Sequence, residues 1–136
     1  MNRPIILGYQ LIIGLSDTST GVLLMVAPEL TLRMMRLHAP DDALPYLSFT
    51  GAFVSSVGIT CLYGAFIVAR RCAPTKLELV WLLTAIIRAS VAIFLIGQVV
   101  AGTLAAGWLM VAVVDGSCVL IQAIGLRQGW AARVAH

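Results

Sequence analysis

Apolar residues dominate four stretches of this chain, and the polar residues inside them recur at helical rather than strand spacing. In the first stretch, Ile5 to Ala27, the polar or small residues Gln10, Gly14, Asp17 and Gly21 follow one another at steps of four, three and four. Such steps return to a single helix face. The second stretch, Leu47 to Ala69, repeats the device with Ser48, Gly51, Ser55 and Gly58. The third, Leu77 to Ala101, carries Trp81, Thr84 and Arg88 on one face, continued by Val91, Ala92 and Leu95. The fourth, Leu104 to Leu126, carries Trp108, Asp115, Cys118 and Gln122. Each stretch is long enough, at ~1.5 Å per residue, to cross a hydrocarbon layer of ~30 Å. The pattern predicts an all-α protein, an integral membrane four-helix bundle that forms one domain over residues 1–136 with spans 5–27, 47–69, 77–101 and 104–126.

Composition strengthens this reading: 60% of the 136 residues are hydrophobic and 11% are charged, where a soluble domain is about one-quarter charged. All five prolines fall at the ends of the stretches or between them, as helix interiors require. The first run has one basic residue before it and is longer than a signal-peptide core, so it is expected to be a retained helix. Arg3, Arg70, Arg71, Lys76, Arg127 and Arg133 gather on the side that holds both termini, against Arg33 and Arg36 on the other. The positive-inside rule then places both termini in the cytoplasm. The net charge of +3 forms no basic run or stripe, which argues against nucleic acid as a partner.

Between the first two spans, Glu29 to Pro45 is the one substantial loop. Leu30, Met34 and Leu37 alternate there with Arg33 and Arg36 in the manner of a short amphipathic helix lying at a membrane interface. Met34, Met35 and His38 are soft ligands without a recognisable ligand spacing, so no metal is expected. The two histidines, His38 and His136, lie outside the spans, which removes an intramembrane axial ligand for haem. Neither a phosphate-binding loop nor a nucleophile with a histidine base is present, and a hydrolase is not expected. Cys61 and Cys118 lie in spans and Cys72 in a basic loop; all three are expected to be free thiols.

Three ionisable residues lie deep in the spans. Asp17 is 12 residues beyond Ile5, Arg88 is 11 beyond Leu77, and Asp115 is 11 beyond Leu104 from the opposite side. All three come out ~16 to 18 Å into the layer, close to its midplane. Charges at that depth are rare and face a protein interior. The third and fourth spans, joined at Gly102 and Thr103, are expected to be antiparallel neighbours, so Arg88 should touch Asp115 and, across the bundle, Asp17. Gln10, Thr84 and Gln122 are candidates to hydrogen-bond this cluster. One reading is a clamp that fixes helix order and rotation. The other is a polar site for a ligand or a proton-coupled step.

Ala27, Pro28 and Glu29 closing the first span, Phe49, Thr50, Gly51, Ala52 and Phe53 opening the second, Arg88 in the third, and Gly107 and Trp108 followed by Asp115 in the fourth together resemble the small four-helix bacterial membrane proteins of the DoxX-like group. The resemblance implies a four-helix bundle in a bacterial inner membrane. Because DoxX is associated with a thiosulfate to quinone oxidoreductase, it also implies, as one alternative, a quinone- or lipid-linked redox component. It carries over no catalytic residue. The residues themselves favour a non-catalytic accessory or structural subunit of a larger membrane complex, since two spans offer small-residue packing faces and none holds cofactor ligands. The expected partners are the lipid bilayer and other membrane subunits or a second copy of the chain, with no cofactor beyond a quinone or a lipid. A proton-linked small-molecule carrier acting through Asp115 is the remaining alternative.

Overall fold

The computed structural model describes residues 2–134, and every regular element among them is helical. The long helices are α1 (Arg3–Val26), α3 (Leu44–Ala69), α4 (Pro74–Val100) and α5 (Leu109–Arg127), while α2 (Pro28–Met34) is a short connection between α1 and α3. Counted with the 3-10 turns that lead into α3 and α5, four helices among the described residues are long and apolar enough to cross a membrane. His136 lies outside the described residues.

Pro4, Pro28, Pro45 and Pro74 all stand in the first turn of a helix, where the missing N–H costs no intrahelical bond. Pro45 therefore opens α3 from within instead of preceding it. At the other ends, α2, α3 and α4 stop in one way. The residues Arg36, Arg71 and Gly102 take φ of 57°, 53° and 75°. The next N–H then reaches back five residues, from Leu37 to the Leu32 carbonyl at 2.8 Å, Cys72 to Ile67 at 3.1 Å and Thr103 to Gln98 at 3.0 Å. This is the Schellman closure, whose left-handed position usually holds glycine. Twice here it holds arginine.

The helices pack as two pairs. In the first, the small-residue faces of α1 and α3 meet so closely that a Cβ added to Gly21 would lie 2.6 Å from the Gly51 carbonyl oxygen, and one added to Gly51 would lie 2.6 Å from that of Gly21. Only glycine permits this backbone approach. In the second pair, Ala92 and Leu95 of α4 pack on Ala112 of α5, flanked by Leu104, Trp108 and Val111. The pairs join at the end of the bundle that carries the chain termini. There Ile6, Ile67, Val68, Leu77, Val80, Trp81 and Ala131 form one buried cluster drawn from α1, α3, α4 and the C-terminal 3-10 turn Trp130–Val134. Arg3 fastens the same end, with Nε and Nη2 donating to the carbonyls of Val68 and Ala69 at 3.2 and 2.9 Å, the last two carbonyls of α3.

Several expectations require correction. The fourth span does not run as one helix from Leu104. Residues 101–105 are irregular, a 3-10 turn covers Ala106–Trp108, and α5 starts at Leu109. The reason is in part local and in part tertiary: Gly102 closes α4 with a positive φ, and Gly107 lies so near Leu37 that a Cβ there would be 2.6 Å from the Leu37 Cδ2. In the connection between α1 and α3, Leu30 and Met34 face outward, and Thr31, Leu32 and Leu37 are the buried residues. The Schellman turn brings Leu37 back onto Leu32, so Leu37 leaves the face it was read to share with Leu30 and Met34, while those two remain outward as an interfacial helix requires. Val91, read on the inner face of the third span, is 39% exposed because it borders open space between the helix pairs instead of packed side chains.

Candidate functional site

Near the middle of the bundle α4 carries Arg88, between Asp17 of α1 and Asp115 of α5. Nη1 donates to Asp115 Oδ1 at 2.5 Å, and Nη2 donates to Asp17 Oδ2. The guanidinium thus uses its two terminal nitrogens on two helices, one from each pair. Arg88 is 4% exposed, while Asp17 and Asp115 keep 18% and 13% of their side-chain surface accessible. The second oxygen of each carboxylate accepts no hydrogen bond from a described residue, and Arg88 Nε is buried without a partner. With both acids ionised the three groups sum to one negative charge.

Gln10, Thr84 and Gln122 do not bond this triad. Gln122 Nε2 donates to Thr84 Oγ1 at 2.9 Å, and that hydroxyl donates to the Val80 carbonyl at 2.7 Å. Gln10 is fully buried against Gly64, in a gap that any β-carbon at position 64 would close. The cause is helical rise: Gln10 and Gln122 stand seven residues from Asp17 and Asp115 toward the terminal end, which is ~10 Å along the axis. They form a separate polar layer. Cys61 and Cys118 are buried and Cys72 partly so, all as free thiols.

On the other side of the triad the helix pairs diverge and leave a cleft of about 720 Å³. Its floor is Asp17, Arg88 and Asp115; its walls include Leu24, Val54, Val57, Leu95, Val111 and Trp108, and α2 contributes Thr31 and Leu32. Phe53 and Phe94, both strongly exposed, stand at its rim. A pocket of this size, with mainly apolar walls and its charges on the floor, has the form of a small-molecule site, for which about 300 to 1,000 Å³ is usual. Comparison of the chain with protein-family models, curated proteins and solved structures finds no match. The chemistry of the site is accordingly that of its own residues.

Sequence reasoning did not anticipate the cleft. Its signal was the polar width of the first span around Asp17, since Ser16 and Thr20 also line the cavity although neither lies on the face of Gln10, Gly14 and Gly21. The part played by α2 left no readable trace, because it depends on how Thr31 and Leu32 are carried against the other helices.

Proposed function

We propose that this chain is a four-span protein of a bacterial inner membrane, termini cytoplasmic, that binds a small apolar molecule between its two helix pairs. The observation that carries this reading is the position of Asp17, Arg88 and Asp115 at the floor of a mainly apolar cleft of about 720 Å³. An ion cluster that served only as a clamp would be expected to lie among packed side chains. Membrane insertion is supported by the outward faces of the long helices, where Ile12, Val26, Phe49, Ile93, Val100, Val113 and Leu120 are all exposed; apolar surface on this scale is foreign to a soluble monomer. Orientation follows from the arginine and lysine distribution.

Trp108 in the cleft reports the test. In neutral detergent, 1-bromododecane should quench its fluorescence saturably, and the saturable part should vanish in Trp108→Phe. It should also vanish in the double variant Val54→Phe and Leu95→Trp read by bound-ligand mass spectrometry, which fills the cavity. Linear, unsaturable quenching that is the same with and without Trp108 would contradict the reading.

The accessory-subunit reading keeps one observation in its favour. Phe49 and Phe53 pack edge to face at 5.0 Å, and Tyr63 stacks with Phe66, forming an exposed aromatic row along α3. The small-residue faces that first suggested a docking surface are used inside the chain, α1 against α3. Purification in mild detergent tests this second reading, which requires another protein to co-purify in fixed ratio.

A further inference from the structure

We infer that the cleft takes an alkylammonium, an amphiphile whose cationic, hydrogen-bond-donating head rests on Asp17 and Asp115 with its chain along the apolar walls. This rests on the reading of the cleft as a ligand site and adds the ligand's charge and polarity. Arg88 is 4% exposed and gives both terminal nitrogens to the acids. What the triad shows to the cleft is therefore mainly carboxylate, with one oxygen of each acid unengaged by Arg88. A carboxylate oxygen is an acceptor and nothing else when ionised.

The hydroxyls around the cleft point to the same polarity. Thr31, Thr50 and Ser90 line it, and each donates its proton to a carbonyl of its own helix or cap, at Ala27, Tyr46 and Ile86. Their oxygens are left with lone pairs. Among the described residues no cation except Arg88 lines the cavity. The Ser16 and Thr20 hydroxyls and the Trp108 indole also line the cleft and can donate, but at its carboxylate floor a carbonyl, quinone, phosphate or carboxylate head would place acceptor against acceptor, and an anion would add to a triad that already sums to one negative charge. A cationic donor brings that sum to zero in a setting where charge is poorly screened. A phosphoethanolamine head would carry its phosphate to the same acids, so the class is a simple amine rather than a phospholipid.

The test uses the full chain in neutral maltoside micelles at pH 7, with Trp108 fluorescence titrated by dodecylammonium, dodecanol and dodecanoate. Dodecylammonium should bind about tenfold or more tighter than dodecanol, and dodecanoate weakest, as charge complementarity demands. Asp17→Asn and Asp115→Asn should each remove most of the ammonium preference over dodecanol, with far-UV circular dichroism matching that of the parent chain to show that the bundle is still folded. Equal affinity for all three probes, or dodecanoate tightest, overturns the head-group assignment and leaves the cleft as a site. Saturable binding of none overturns the site itself and the assignment with it.

Discussion

Trp81 in α4 and Trp108 in the 3-10 turn before α5 both belong to the second pair, one toward each end of the bundle, and their surroundings differ. Trp81 is fully buried, meeting Tyr9 edge to face at 6.3 Å and Trp130 at 6.5 Å, with Gly125 leaving room for its ring. Trp108 is partly buried and faces a cavity. The terminal end is closed by all its elements and fastened by Arg3. The α2 end is closed within each pair and bridged between them by Leu37 against Gly107, with the cleft left in between. Cohesion is thus concentrated in one half, and the other half is left able to accept a ligand without unpacking a core. The triad lies at the boundary and is in contact with both.

The largest effect is expected at that boundary. Arg88→Ala leaves two buried carboxylates without their partner, and loss of about 3 to 5 kcal/mol in stability is expected from detergent-unfolding curves. Replacing Arg88 by Met together with Asp17→Asn and Asp115→Asn should restore most of it, because an apolar or neutral substitute for a buried ion network is often tolerated. A triple variant as unstable as the single one would show that the charges themselves hold the pairs together. Next, Trp81→Ala should cost ~3 kcal/mol, whereas Trp108→Ala in the cleft should cost less than ~1 kcal/mol on the same curves. Equal losses would erase the distinction between the two ends.

Within the first pair, Gly21→Ala drives a methyl group into the backbone of Ser55 and Gly51, and a loss of about 1 to 3 kcal/mol is expected in thermal unfolding. The smallest effect has the opposite sign. Arg71→Gly removes a side chain from φ 53° and should raise stability by about 0.5 to 1 kcal/mol, offset in part by a looser unfolded chain.

Much of this architecture could be read in the pattern of residues. The four apolar stretches, the small-residue faces through Gly21 and Gly51, and the proline boundaries all follow from one-dimensional spacing, because rise and periodicity are fixed by the helix itself. The depth count for Asp17, Arg88 and Asp115 rests on the same regularity. What spacing could not convey was anything set by where chains turn. The positive φ at Arg36, which redirects Leu37, occurs at a residue type that gives no warning of it. The departure of α5 from its expected start depends on Gly107 meeting a leucine about 70 positions earlier, a tertiary fact. The cleft is of this kind too: it is a difference in how two pairs diverge, and no residue on either pair encodes it alone.

The most direct measurement of the central claim is a density map of the protein in lipid nanodiscs. Non-protein density that enters between Phe53 and Phe94 and ends on Asp17 and Asp115, beside a terminal end filled by Trp81 and Trp130, is the predicted result. A map in which Val54 and Val57 of the first pair pack directly on Leu95 and Val111 of the second, with no space above Arg88, would contradict it.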